Sequence, residues 1–517
     1  MKTALIQCPN WTIFTPPYNL ALLKAICRNR GHEVSCLDFN IKFYKYLNEK
    51  GKKDLYSKPT DWFSDSFVQT IISSHSSFVD SCVEEILALD VRAAGFNITG
   101  LNRFFAEEVI RRLKSKDKDK IIFIGGPHCF KAEIGKVLLY VNPAMDAICY
   151  LEGENTVPNI LDMIEKEGRI GPCPGISFRN RDNEVIDCPD EPLMEDLNSL
   201  PFADFSDFKV DEYLMKELPI STSRGCINRC IFCSESNIWK KYRSRSARSI
   251  FDEIVYQLGK YPYIRSFFFN DSLLNGNLRA LEELCDLLID NHIGITWGGQ
   301  AAIRRHMGKD LIGKMKKAGC FHLTYGLESV SPKILKMIGK DFSPELAERV
   351  IKDTHQAGIK TDVTIIIGFP TETEEDVAMT GEFLRRNREF IDEIFFHLLV
   401  IARGTYLYEN RESLGIELED NFNSVRWHSN KEINTLAKRL EILDIYNKFV
   451  GQGGTDFYSA PDYYIFSADK CFRSNDYKNA LLLYLKAKAL NKNTLKARYI
   501  EEMIEASQKN SDAQLKR

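Results

Sequence analysis

The sequence predicts an α/β protein in three parts: a parallel sheet with crossover helices over residues 1–170, a partial (βα)6 TIM-type barrel over 218–400, and an α-helical region over 401–517. Three observations carry this. Short apolar strands alternate with amphipathic segments in the first part, as parallel sheets with crossover helices require. Six βα units then follow one another from about 218, too few to close a full barrel. After 401 the strand rhythm stops.

In the first part, strands are expected at TALIQ (3–7), EVSCLDF (33–39), AAGFNIT (93–99), KIIFIGG (120–126) and DAICYLEG (146–153). The amphipathic stretches 19–31, 103–116 and 157–168 lie between or after them. Residues 171–217 carry scattered Pro, Gly and acidic side chains, which predicts a linker crossing the surface with room for a small hairpin. The barrel strands are expected at 218–223, 264–269, 293–297, 321–326, 361–368 and 393–400, each followed by a helical stretch. In the last part, Ala468, Ala480, Tyr484 and Ala487 fall at the small and aromatic offsets of a tetratricopeptide-like helix pair at about 461–494. A single such pair cannot bury its own apolar face, so it is expected to dock on the barrel or on a protein partner.

Bulk composition narrows the function classes. The net charge of -3 gives no electrostatic reason for a nucleic-acid or anionic-membrane partner. No run of about 18 apolar residues is present to span a bilayer. The start, MKTALIQCPNW, reads as a first strand rather than a secretory leader. The 14 cysteines lack the density of a disulfide framework, which predicts a reducing cytoplasm.

Three of those cysteines stand together in STSRGCINRCIFC as C-x3-C-x2-C: Cys226, Cys230 and Cys233. The loop follows the first barrel strand, on the rim where barrel chemistry gathers. Structural zinc wants four closed ligands, and the next candidates, Cys285 and His292, fall in and at the end of a predicted helix. A [4Fe–4S] cluster on three thiolates leaves one iron open.

C-x3-C-x2-C opening a (βα)6 partial barrel resembles the radical S-adenosylmethionine (SAM) enzymes. The resemblance implies that Cys226, Cys230 and Cys233 hold a [4Fe–4S] cluster whose open iron chelates SAM and whose electron cleaves it to methionine and a deoxyadenosyl radical. It implies an electron donor such as flavodoxin or ferredoxin. Phe232 matches the aromatic that packs near adenine in that family. Asn270 and Asp271 end the second strand, where the family commonly has a glycine- or acid-containing motif; the Gly-Gly-Glu of many members is absent here. Glu328 and Ser329 in TYGLES match a G-x-E-S stretch directed at the ribose or amino end of SAM. Ile366, Gly368 and Pro370 match a Gly-x-Pro turn that walls the adenine, and Gln300 and Arg304 are expected near the cavity.

The first part lacks G-x-G-x-x-G after its first strand, which argues against a dinucleotide. Its glycines come later, in GFNITG, IGGPH and LEGEN, where they would let a bulky flat ligand lie against the sheet edge. This pattern resembles the Rossmann-like cobalamin-binding (B12) domain of one large radical SAM subgroup. On that resemblance Asn97, Thr99, Gly125, Gly126, Gly153 and Glu154 are cobalamin contacts, and His128 could approach the corrin. The D-x-H-x-x-G motif is absent, and IISSHSSFVD (71–80) lacks its spacing, so cobalt is expected without that motif histidine. Cys129 and Cys149 read as ordinary buried thiols.

The combined resemblance, over about residues 1–400, implies a cobalamin-dependent methyltransferase acting on an unactivated carbon of a small-molecule or peptide substrate. A cyclase or rearrangement enzyme with the same cofactors is the nearest alternative, and a non-catalytic scaffold with a partner-binding tail is the third. Arg403, Tyr406, Arg426, Trp427 and His428 are read as a surface patch, or as side chains facing the cavity.

Overall fold

The computed structural model describes residues 1–56, 59–129, 135–235, 239–418, 427–429, 434–450, 454–456, 472, 477–490 and 494–515. Two seven-stranded sheets organise it.

The first sheet comprises β1 (Lys2–Gln7), β2 (Glu33–Asp38), β3 (Ala93–Asn97), β4 (Ile121–Gly125), β5 (Ala147–Cys149), β6 (Ile176–Arg179) and β7 (Val185–Asp187), in the order β2-β1-β3-β4-β5-β6-β7. The first five are parallel; β6 and β7 add antiparallel. The strand order reverses between β1 and β3, and ligands of such sheets bind beyond the carboxyl ends at that point. Period-two alternation divides the core. Leu5 faces one apolar cluster, while Ala4, Ile6 and Cys8 face another.

Between β2 and β3 the chain builds four helices, Phe39–Tyr46, Glu49–Tyr56, Asp65–Ser74 and Ser76–Ala88, that no sequence pattern had suggested. They supply Phe43, Val68, Ile72, Phe78 and Val83 to the second cluster, and the 3-10 turn Pro59–Phe63 between them adds Trp62. Asp38 starts the first of them by accepting from the Asn40 and Ile41 amides (2.9 and 3.1 Å).

Segment 171–217 departs from the expected surface linker. Its hairpin β6–β7 extends the first sheet, and Leu197, Ala203, Phe205, Phe208, Val210 and Tyr213 are buried. All but Leu197 belong to an apolar cluster that runs unbroken from Leu5 to barrel residues such as Phe267 and Val363. Polar ties reinforce the join: Tyr213 Oη donates to Asp38 (2.7 Å), and Lys24 pairs with Asp207 (2.7 Å). The chemical reason is that the aromatics of PFADFSDF need a core, and both flanking units offer one.

The second sheet is the barrel: β8 (Glu217–Ile220), β11 (Ser266–Phe269), β12 (Thr296–Ala301), β13 (Cys320–Glu328), β14 (Lys360–Ile367) and β15 (Glu393–Leu398), all parallel. The short hairpin β9 (Ser223–Arg224) and β10 (Arg243–Ser244) flanks the cysteine loop. The strand rhythm does not stop at 401, contrary to expectation. The pair β16 (Ile416–Leu418) and β17 (Trp427–Ser429) follows, and β18 (Gly454–Asp456) joins β15 as a seventh parallel strand.

In the last part, helices Tyr477–Leu490 and Thr494–Leu515 pack together, with Ala480, Tyr484 and Ala487 buried against Ile500. Ala468 lies outside the described residues, as does most of the first helix expected for the tetratricopeptide-like pair. No described helix is long and apolar enough to cross a membrane.

Candidate functional site

The cysteine loop leaves β9 through Gly225. That residue sits at φ +80° with its backbone pressed on the Lys241 carbonyl and the Trp239 Cβ, space no side chain could share. All three cysteines are partly buried. Burial pushes the Cys230 thiol up to about 11 and Cys233 up to about 12, and it raises Cys226 as well. Backbone amides oppose this: Asn228 N donates to Cys226 Sγ (3.4 Å), and the Glu235 amide serves Cys233. The buried Lys340 ammonium lowers both Cys226 and Cys230. Such a donor set suits a group that displaces thiol protons as it binds. Among the described residues, His32, Asp162 and Glu165 are the only three potential ligand atoms that all lie within 4.8 Å of one another, so the three sulfurs are not drawn together to that distance.

Around the loop the barrel's carboxyl ends supply an apolar wall and a charged pair. Phe232 and Phe369 lie with ring centroids 5.8 Å apart, beside Ile366 and the buried Ile334, Leu335 and Ile338. Thus Phe232 and Ile366 converge on Phe369 of the Gly-x-Pro turn. Glu328 ends β13 at φ +63°, accepts from Thr364 Oγ1 (3.2 Å) and lies 3.4 Å from Lys340 Nζ. Burial raises its carboxyl. Lys340 also donates to the Gly326 carbonyl (2.8 Å). Sequence reasoning passed over Lys340, although it closes the same KMIGK stretch.

Several expected site residues are engaged elsewhere. Asp271 accepts from the Thr222 amide (2.9 Å), Thr222 Oγ1 (2.8 Å), the Ser223 amide (2.5 Å) and Ser223 Oγ (3.2 Å). It braces the turn that launches the cysteine loop, and burial brings its carboxyl up to about 6. Ser329 Oγ is buried against Thr380 Oγ1 (3.2 Å) and the Ser331 amide (3.2 Å). Gly368, at φ +95°, is overlain by the Arg439 side chain. Its amide donates to Glu372 (2.7 Å), whose carboxyl burial brings up to about 8. Arg304 is spent on the carbonyls of Asn275 and Gly276 (2.5 and 2.8 Å). Asn270 and Gln300 are exposed, and Pro370 is half-buried. Trp427 is no surface or cavity residue: it is fully buried, with Nε1 on the Leu399 carbonyl (3.0 Å). Tyr406 is exposed, Arg403 and His428 are half-buried, and Arg426 lies outside the described residues.

At the first sheet's carboxyl edge, Asn97 donates to Gln7 Oε1 (2.6 Å), and Thr99 exchanges bonds with Asn102 (2.8 and 3.3 Å). Gly126 is exposed at φ +108°, where any side chain would strike Asn97. Gly125 has only the Cys149 side chain and carbonyl near its missing Cβ (3.5 and 3.8 Å). His128 is half-buried and neutral, its imidazole brought down to about 4 by burial and by Arg103. Cys129 and Cys149 are buried, as expected. Gly153 opens the helix Gly153–Glu167, packed on Leu23 and Val157.

Glu154 is turned away from that role, because its carboxylate pairs with Arg224. Arg224 Nη1 also donates to Glu152 Oε1 (2.6 Å). Arg243 reaches the same Glu152 (3.0 and 3.1 Å). Both guanidiniums lie over the Trp239 ring, 5.5 and 5.7 Å from its centroid. None of the four charged side chains is more than 8% exposed. Sequence reasoning gave Arg224 no role and had no signal for its partners, which lie 70 and 72 residues away.

Comparison with known proteins agrees with this geometry. Residues 220–384 match the model of the radical SAM superfamily. An uncharacterized methyltransferase of Pyrococcus horikoshii is 27% identical over 329 residues, 63% of this chain and 70% of that protein. The anaerobic magnesium-protoporphyrin IX monomethyl ester cyclase of Rubrivivax gelatinosus is 27% identical over 316 residues, 59% of this chain and 56% of the cyclase. The structure of the radical SAM methyltransferase TsrM from Kitasatospora setae, with cobalamin and a [4Fe–4S] cluster bound, superposes with a TM-score of 0.64 at 15% identity, over 98% of this chain and 99% of that one. Residues 220–384 are therefore a radical SAM domain, set in a two-sheet fold like that of the cobalamin-bound TsrM structure.

Proposed function

We propose that this protein is a cobalamin-dependent radical SAM methyltransferase acting on an unactivated carbon. One observation carries the reading: the carboxyl edge of the first sheet and the cysteine loop of the barrel are joined directly, through Glu152, Glu154 and Arg224. Two cofactor-bearing edges that meet in this way suit a reaction needing both at one substrate.

When bound, the [4Fe–4S] cluster supplies the electron that cleaves SAM, and the cobalamin supplies the methyl group. The chain's own residues do the rest. Cys226, Cys230 and Cys233 would hold the cluster. Phe232, Ile366 and Phe369 form an apolar wall that excludes water from the SAM side. Glu328 and Lys340 form a buried charge pair that would meet the polar end of SAM. Gly125, Gly126 and the neutral His128, at the carboxyl edge of the first sheet, would line the corrin. No acid–base dyad is required of the protein, whose task is to hold reacting centres in line.

The substrate is a small molecule or a peptide, and reduction needs an electron donor. The terminal helix pair, with Leu485 exposed on its first helix, supports a protein partner at that end. Methyl transfer predicts that anaerobically reconstituted protein carries about four irons and one cobalt. With SAM, reductant and substrate it would form S-adenosylhomocysteine beside 5′-deoxyadenosine. The similarity to a cyclase favours one second reading, net cyclisation with the same cofactors. That reading predicts 5′-deoxyadenosine without S-adenosylhomocysteine. Iron without cobalt would overturn both.

A further inference from the structure

Four buried charges at a domain junction are a costly way to make two surfaces adhere. Apolar side chains of the same volume would do so as well or better, because charge pairs must recover the desolvation of each ion. What the charges add is geometry. A guanidinium fork satisfied at two carboxylates has one orientation, and Arg224 Nη1 and Nη2 are each committed to a different glutamate. Arg243 fixes Glu152 from the other side and is itself held by the Met194 carbonyl (2.6 Å), while the Met194 amide donates to Glu152 (2.7 Å). Trp239 covers both guanidiniums.

Only Gly225 separates Arg224 from Cys226, and Gly225 is wedged against Lys241 and Trp239. Wherever Arg224 is held, Cys226 must follow. On the other side, Glu152 and Glu154 flank Gly153 at the carboxyl edge of the first sheet.

We propose that Arg224, clasped by Glu152 and Glu154, is a positioning residue that sets the place of the cluster-binding loop relative to the ligand edge of the first sheet. The proposal rests on the two-cofactor reading for its purpose, but not for its geometry. It assigns Glu154 to the clasp rather than to the corrin. Arg224 touches no reacting atom; it acts through Cys226.

The test compares iron-reconstituted full-length wild type with Glu152→Gln/Glu154→Gln, Arg224→Gln and Arg224→Lys. Hydrogen exchange is followed over residues 222–234 and, as an internal reference, over the helix Ala247–Lys260. Loss of charge-assisted bonds in the glutamine variants should speed exchange of the loop about tenfold and leave the reference helix unchanged. Arg224→Lys, which keeps the charge and loses the fork, should fall between. Should Arg224→Gln fail to fold, the double glutamine variant, whose changes lie outside the loop, decides. Unchanged loop exchange in that variant overturns the proposal.

A second measurement separates this proposal from the reading beneath it. In protein also loaded with hydroxocobalamin and then reduced, the spin–spin relaxation between cluster and cob(II)alamin should be uniform in wild type and broadly distributed in the glutamine variants. Absence of cobalt from the wild type would overturn the cofactor reading, and the exchange experiment would still decide the clasp.

Discussion

The side chain of Arg439 crosses directly over the Cα of Gly368, so that a residue from the helix Leu436–Val450 fills the space a side chain at the Gly-x-Pro turn would need. Arg439 is itself fully buried, 4.2 Å above the Trp427 ring and donating to Asn434 Oδ1 and the Trp427 carbonyl (2.9 Å each). The glycine therefore serves packing as well as backbone freedom. Replacing it by alanine combines a positive φ with a collision against a residue that cannot swing to solvent. Gly368→Ala should cost at least about 2 kcal/mol. A fall in melting temperature under about 2 °C would contradict this.

Lys340 and Glu328 form a buried pair close to the cysteines. Removing one partner leaves the other charge uncompensated, whereas removing both does not. Lys340→Met should destabilise the protein by about 3 kcal/mol, and adding Glu328→Gln should restore most of that loss. The two single variants and the double, compared by thermal melting, form the required cycle. Strict additivity would show that the two groups do not interact.

Asp271 and Asn270 are neighbours with opposite expectations. Asp271 gathers four donors from Thr222 and Ser223 at the base of the cysteine loop, while Asn270 is exposed. Asp271→Ala leaves buried amides without an acceptor, a loss of about 2 kcal/mol or more. It should reduce the iron retained after anaerobic desalting, whereas Asn270→Ala should retain iron like wild type. Equal retention in both variants would remove the brace assigned to Asp271.

His128 makes stability depend on pH in a defined direction. Its imidazole is brought from the ordinary 6.5 to about 4 in the folded protein, chiefly by burial. Below about 6.5 the unfolded chain therefore takes up a proton that the folded one refuses. The stabilisation is complete above that value and is lost as pH falls toward 4, by about 2 kcal/mol once its partial exposure is discounted. Melting temperature should fall across this window, and less steeply in His128→Gln. Parallel profiles for the two proteins would argue against a neutral His128.

Much of the site was legible from local pattern. Cys226, Cys230 and Cys233 stand out by spacing, Phe232 by its place before the third of them and Ile366 by its place before the Gly-x-Pro turn, whereas their meeting at Phe369 belongs to the tertiary structure. Asp271, Ser329 and Glu154 were singled out by the same logic, yet their side chains answer to neighbours that spacing does not reveal. A strand-end carboxylate looks the same in sequence whether it faces a cavity or caps the turn beside it.

The amino-acid sequence by itself determined the two alternating β/α units, the order of the six barrel strands and the three-thiol loop on the rim. Each follows from short-range periodicity and from steric needs of glycine and proline. Tertiary structure decided the rest. It buried Phe205, Phe208 and Tyr213 as a shared core rather than a linker, because both units had apolar faces to cover. It brought β18 beside β15 as a seventh strand, since an open edge invites pairing. And it set Glu152 and Glu154 on Arg224, because charges taken out of water must find partners wherever the folded chain brings them.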